Sequence, residues 1–166
     1  HQIKRAATKI VWQPDQGSEL RVGVTYATLR FQQQAKDMSR ESYIWNLTNP
    51  NFPEKTLQPL SPLCCMAFNN KTPEIIAGGS YNGSISFFDT RIGNSQGVCK
   101  PIKQSILEKS HHDPVYNIEW VQSKTGTELV SSSTDGRILW WDYKESFETP
   151  ADQLIIKEEF RPDGNP

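Results

Sequence analysis

Several groupings in this 166-residue chain have the residue types from which chemistry is built. Ser131, His111 and Asp135 supply a hydroxyl, an imidazole and a carboxylate, the composition of a hydrolytic triad. No Gly-x-Ser-x-Gly turn surrounds Ser131 to lift its hydroxyl into the open, so composition alone does not make it a nucleophile. His111, His112 and Asp113 offer metal-binding groups, but consecutive residues on one loop converge poorly on a tetrahedron, and no second His or Cys cluster lies nearby. Cys64 and Cys65 could be redox-active, yet they stand in an apolar strand pattern where at least one belongs to the core, and Cys99 is read as inert. Gly78-Gly79 and Tyr81-Asn82-Gly83 run from strand to strand, with neither a following helix nor a Gly-Lys-Ser/Thr ending, so they form no phosphate loop. The aromatic pairs Phe87-Phe88 and Trp140-Trp141 could line a ligand cage, but strand alternation sends one of each pair toward a neighbouring layer. No catalytic, cofactor-binding or metal residue is assigned, and an enzyme is not expected.

The remaining composition narrows the partners. Eighteen Lys and Arg against nineteen Asp and Glu leave a formal charge of -1, without the basic footprint that phosphate neutralisation requires, so nucleic acid is not an expected partner. The longest apolar stretch, Leu63 to Phe68, is far below the ~20 residues that span a bilayer, and the N-terminal residues lack a charged-then-apolar export pattern, so no membrane partner is expected. Three cysteines, an odd number, fit a reducing compartment better than a disulfide framework. The first residue, His1, suggests a piece of a longer chain.

The elements that must position these residues come from internal repetition. Ile76 to Asp89 and Leu129 to Asp142 superpose without a gap, 53 residues apart, matching Ser80 to Ser133, Gly83 to Gly136 and Phe88 to Trp141. Upstream, Leu63 to Phe68 matches Val115 to Trp120, 52 residues apart. A third copy opens the chain: Lys9 to Trp12, Leu20 to Tyr26 and Ser42 to Asn46. Its two aromatic markers, Trp12 and Trp45, are 33 residues apart against 20 for Phe68 and Phe88 and 21 for Trp120 and Trp141. The excess lies around Thr28 to Arg40. Alternating apolar residues bounded by turn chemistry predict short antiparallel meanders, with Asn82-Gly83 and Asp135-Gly136 as tight hairpin turns. Fourth strands are expected over Cys99 to Leu107 and Leu154 to Phe160, while the prolines in Asn49 to Leu57 argue against a central strand there.

These residues resemble WD40 repeats, the four-stranded blades of β-propellers. The last copy carries the pattern in order: Ser110-His111 in place of Gly-His, Pro114-Val115-Tyr116, Trp120, Thr134-Asp135-Gly136 and Trp141-Asp142. The resemblance implies a buried hydrogen-bonded tetrad of His111, Ser131, Asp135 and Trp141, with Ser133 as the alternative serine. The middle copy has Pro59, Asn82 and Phe88 at the His, Asp and Trp positions, and the first has Ile3 at the His position. Those two blades are therefore expected to rely on apolar packing alone. The fold expected is all-β, about three four-stranded antiparallel blades over residues 3–60, 61–109 and 110–166. Three blades cannot close a ring, which places the chain in the centre of a larger propeller of about seven blades.

A narrower resemblance rests on Phe31 to Glu54, with its insertion, the Tyr81-Asn-Gly83 turn, Ser110 to Tyr116 and Gln122 to Glu128. Over roughly Ile3 to Tyr143 the chain is similar to the WD-repeat intermediate chains of axonemal outer-arm dynein, of the second intermediate-chain type. This implies a non-catalytic scaffold whose propeller docks on the tail of a dynein heavy chain beside a second intermediate chain. It also implies binding of dynein light chains through segments outside these residues, a location in cytoplasm and ciliary or flagellar axoneme, and no cofactor. The insertion, with Leu29, Arg30, Phe31, Lys36 and Arg40, is the segment a blade does not need, and it is either a candidate partner contact or a merely solvated loop. The alternative is a cytosolic WD40 adaptor that grips a peptide motif in its central channel.

Overall fold

The computed structural model describes residues 5–14, 17, 20–29 and 39–156. The first sheet is built from β1 (Ala6–Trp12), β2 (Arg21–Ala27), β3 (Ser42–Asn46) and β4 (Lys55–Leu57). The second contains β5 (Leu63–Phe68), β6 (Ile75–Ser80), β7 (Ile85–Asp89) and, after β8 (Val98–Cys99), β9 (Lys103–Gln104). The third contains β10 (Val115–Trp120), β11 (Glu128–Ser133), β12 (Arg137–Asp142) and β13 (Asp152–Ile155). Each is a four-stranded antiparallel meander in chain order, and β8 alone joins a sheet out of order, pairing parallel with β4. These are propeller blades of the WD40 kind.

Burial explains the difference between the blades. Every residue of β5, β6 and β7 is buried, because the middle blade has a neighbour on both faces, and strands covered on both sides read as continuous apolar runs. On one face Cys65, Ala67, Ile75, Ala77, Ile85 and Phe87 pack against Ile118, Trp120, Leu129, Leu139 and Trp141 of the third blade. On the other, Leu63, Met66, Phe68, Ile76 and Phe88 pack with Ile44, Leu57 and Cys99. Phe87 and Phe88 thus point to opposite blades, as period-2 geometry requires. The outer blades alternate instead: β10 buries Val115, Ile118 and Trp120 while Tyr116 and Glu119 are exposed.

Polar ties cross the same seams. Trp120 Nε1 donates to Ala67 O at 3.1 Å, Asn69 Nδ2 to Gly126 O at 2.7 Å and the His111 N–H to Gly83 O at 3.2 Å. Thr25 Oγ1 donates to Cys64 O at 3.2 Å between the first and second blades. Lys9 Nζ reaches Asn117 Oδ1 at 2.9 Å, spanning from the first blade to the third.

The fourth strands differ from expectation. The middle blade's fourth strand is only Lys103–Gln104, because Pro101 has no N–H to donate and the preceding Val98–Cys99 pairs with β4 of the first blade instead. Lys55–Leu57 does form the first blade's fourth strand, since Pro50 and Pro53 lie before it rather than in it. The last fourth strand, Asp152–Ile155, begins two residues before Leu154, and the Phe160 end of that expectation lies outside the described residues.

Candidate functional site

The third blade carries the densest polar network. Ser131 on β11 and Trp141 on β12 face the middle blade, His111 sits on the loop before β10, and Asp135 occupies the β11–β12 turn. Trp141 Nε1 donates to Ser131 Oγ at 2.8 Å, and Ser131 Oγ lies 2.8 Å from His111 Nε2. His111 Nδ1 stands 3.1 and 3.2 Å from the two carboxylate oxygens of Asp135. Asp135 also accepts the backbone N–H groups of His112 at 3.1 Å and Arg137 at 3.0 Å. Ser133 makes no bond to His111; its hydroxyl donates to Pro114 O at 2.9 Å and accepts the Asp135 N–H at 3.5 Å.

Counting donors and acceptors assigns the protons. The indole can only donate, so the Ser131 oxygen accepts from it and donates its own proton to His111 Nε2, and Nδ1–H donates to the carboxylate. One neutral imidazole tautomer satisfies every member. Burial lowers the His111 pKa below its ordinary value, and the attraction of Asp135 offsets this only in part. Burial raises the Asp135 carboxyl, but the N–H groups of His112 and Arg137 and the His111 imidazole outweigh it and hold the group below the usual carboxylate range.

The Asp135–His111–Ser131 sequence has the connectivity of a hydrolytic triad without its access. Ser131 and His111 are each 1% exposed beneath the middle blade, and the serine oxygen is already occupied by the Trp141 indole. A nucleophile must meet a carbonyl carbon in an open cleft beside oxyanion donors, and this oxygen faces packed side chains. His112 and Asp113 are exposed on the loop. Among the described residues no three His, Cys, Asp or Glu side chains are gathered to hold a metal. Burial pushes the Cys64 and Cys65 thiols up to about 12, which keeps them protonated and unreactive near neutral pH. It raises Cys99 as well.

The other two blades close the same loop differently. In the middle blade Gly78 takes the place of Ser131, and the Leu63 side chain fills that space so closely that a Cβ on Gly78 would lie 2.8 Å from it. Apolar packing there is not alone, contrary to the sequence expectation. The Asn82 N–H reaches Ser61 Oγ at 3.3 Å, and the Tyr81 N–H donates to Pro62 O at 2.8 Å. These backbone donors lie in a turn over an apolar plug and need acceptors wherever the His–Asp pair is missing. In the first blade Thr25 and Thr8 share a hydroxyl bond at 2.9 Å. The Ile3 position lies outside the described residues.

Of the insertion residues, Leu29 and Arg40 are exposed, while Arg30, Phe31 and Lys36 lie outside the described residues. Arg40 lines an open groove of about 440 Å³ that also takes in Leu60 and Lys100, which sequence reasoning missed. They belong to three separated stretches of chain that carry no motif, so the fold alone brings them together. A second groove, of about 850 Å³, runs along the third blade past Glu108, His112, Arg137 and Asp152. There Arg137 is already engaged, donating to Ser110 O at 3.1 Å and Gln153 Oε1 at 2.9 Å.

Stacked four-stranded blades, the third clamped by a buried His–Ser–Asp–Trp network, with loops and grooves at their rims, define the blades of a β-propeller. No protein-family model matches the chain. Its relatives are specific. The chain is 46% identical over 156 residues to dynein intermediate chain 3, ciliary, of Heliocidaris crassispina, covering 94% of this chain and 25% of that protein. It is 44% identical over 156 residues to the 70 kDa intermediate chain of the flagellar outer arm dynein of Chlamydomonas reinhardtii, covering 94% and 26%. It is 46% identical over 155 residues to human dynein axonemal intermediate chain 2, covering 93% and 24%. The chain is thus a homologue of the axonemal dynein intermediate chains, and it spans about a quarter of the length of these relatives.

Proposed function

We propose that this chain is part of a non-catalytic scaffold subunit of an axonemal outer-arm dynein, acting in cytoplasm and cilium to assemble the arm that drives ciliary motility. The carrying observation is identity of 44–46% over more than nine-tenths of the chain to ciliary and flagellar intermediate chains. In this reading the propeller docks on the tail of a dynein heavy chain beside a second intermediate chain, and light chains bind through other segments. The three repeat-like units, 3–60, 61–109 and 110–166, are blades of a ring of about seven. Trp12 and Ile10, exposed at 62% and 63% on the outer face of the first blade, support that ring, because their counterparts Phe68 and Met66 are buried against a neighbouring blade.

The test is co-sedimentation. Full-length protein extracted from axonemes with high salt and run on a sucrose gradient should travel with a dynein heavy chain and stay with it on dilution. Migration as a lone propeller would overturn the dynein reading and leave the generic WD40 adaptor.

A further inference from the structure

The groove between the first two blades is lined by two cations and one acid. Its walls are Arg40 from the segment before β3, Pro59 and Leu60 from the β4–β5 loop, and Lys100 and Pro101 from the β8–β9 connection. Arg40 and Lys100 are exposed, and neither makes a side-chain hydrogen bond or ion pair among the described residues. The one acid on the rim, Glu41, is turned to its own blade, where its Oε2 accepts from the Tyr43 hydroxyl at 2.8 Å. Leu60, on the wall of the same groove, is 65% exposed and gives it an apolar point of contact.

Pro59 stands where the third blade has His111, and the loop carrying Leu60 is held instead through Ser61 and Pro62, which accept the Asn82 and Tyr81 N–H groups. Pro59 and Pro101 fix the backbone at both loops, which lowers the cost of ordering those loops around a ligand.

We propose that this groove is a docking site for an acidic peptide segment of a protein partner, one that places carboxylates on Arg40 and Lys100 and an apolar side chain on Leu60. Charge complementarity selects the occupant. Two uncompensated cations flank an apolar knob in a chain of net charge -1, which suits a short carboxylate-bearing peptide and lacks the extended basic track a nucleic acid backbone needs. The proposal deepens the scaffold reading by naming the chemistry of one partner contact, and it rests on that reading for the identity of the protein that carries the peptide.

The test uses the full-length protein and fluorescent dodecapeptides of alternating Glu–Leu, Gln–Leu and Lys–Leu sequence, read by anisotropy. The Glu–Leu peptide should bind, weaken steeply with salt, and outbind the Gln–Leu peptide about tenfold, with no binding of Lys–Leu. Arg40→Glu with Lys100→Glu should weaken Glu–Leu binding at least tenfold, whereas Lys144→Glu, on an exposed turn of the third blade, should leave it within twofold. Leu60→Ser should weaken Glu–Leu and Gln–Leu binding alike. Undetectable Glu–Leu binding, equal binding by the double variant, or displacement by single-stranded RNA with tighter affinity would each overturn the proposal. Peptide binding without heavy-chain co-sedimentation would sink the dynein reading and keep the groove, and the reverse pair of results would do the opposite.

Discussion

Trp141 Nε1 donates to Ser131 Oγ at 2.8 Å, between diagonal neighbours on β12 and β11 that share the face packed on the middle blade. One serine oxygen therefore joins the strand framework to the His111 loop, and the value of the network hangs on it. Ser131→Ala leaves the indole N–H and His111 Nε2 unpaired in the interior. At roughly 1–3 kcal/mol per stranded group, it should destabilise the blade by about 2–6 kcal/mol. Ser133→Ala, which removes the bond to Pro114 O and a long one from the Asp135 N–H at a half-buried position, should cost about 1 kcal/mol. Urea unfolding of the full-length protein compares them, and equal losses would deny Ser131 its central place.

The same network sets a pH response. His111 has a folded pKa below its ordinary 6.5, so its stabilising contribution is complete above about pH 6.5 and is lost as pH falls through the folded value, because the unfolded chain takes up the proton first. Asp135, Asp89 and Asp142 are likewise lowered from 3.8, so their contribution is complete above about pH 3.8 and is lost below it. The melting temperature should fall in two stages on acidification, and His111→Gln should flatten the first. A melting curve independent of pH between 7 and 5 would contradict the buried neutral imidazole.

Two turn glycines with the same role in sequence should respond differently to alanine. Gly83 and Gly136 both hold positive φ, at 88° and 73°, which costs an alanine about 1–2 kcal/mol in either turn. A Cβ on Gly83 would also lie 2.0 Å from His111 O, backbone of the next blade, while one on Gly136 meets nothing closer than Ile156 O at 3.3 Å. Gly83→Ala should therefore lower stability by at least 2 kcal/mol more than Gly136→Ala, since the blade seam itself must shift. Matched denaturation midpoints would show the seam to be compliant.

The thiols give a direct reading of burial. Cys64, Cys65 and Cys99 are buried and free, and burial raises the pKa of each. Iodoacetamide at pH 8 should leave all three unmodified in the folded protein and label them within minutes in urea. Mass spectrometry resolves the sites, and rapid labelling of any one without denaturant would contradict the packing of its blade.

Much of the fold was legible from local signals. The 52- and 53-residue offsets place the middle and last meanders in register, and the first copy shows the same order of strands around its insertion, because each blade repeats one alternation of apolar residues. The inner three strands of each blade fall where those signals lie. The fourth strands were harder: Lys103–Gln104 and Lys55–Leu57 are too short to show a period, and Val98–Cys99 serves a different blade from the one its position implies. Asn82 is not a silent loss of an acid in the middle blade, since its backbone finds Ser61 in place of a histidine clamp.

The sequence by itself determined the repeat, the hairpins, the residue types of the network and the kinship with axonemal dynein intermediate chains, because these are written in spacing along one chain. Only the tertiary structure decided that Ser131 rather than Ser133 lies beside His111, that Cys64 and Cys65 are sealed, and that Arg40, Leu60 and Lys100 share a groove. Those outcomes depend on which faces of neighbouring blades meet, and a blade's face is chosen by packing against another sheet rather than by anything local to its own strands.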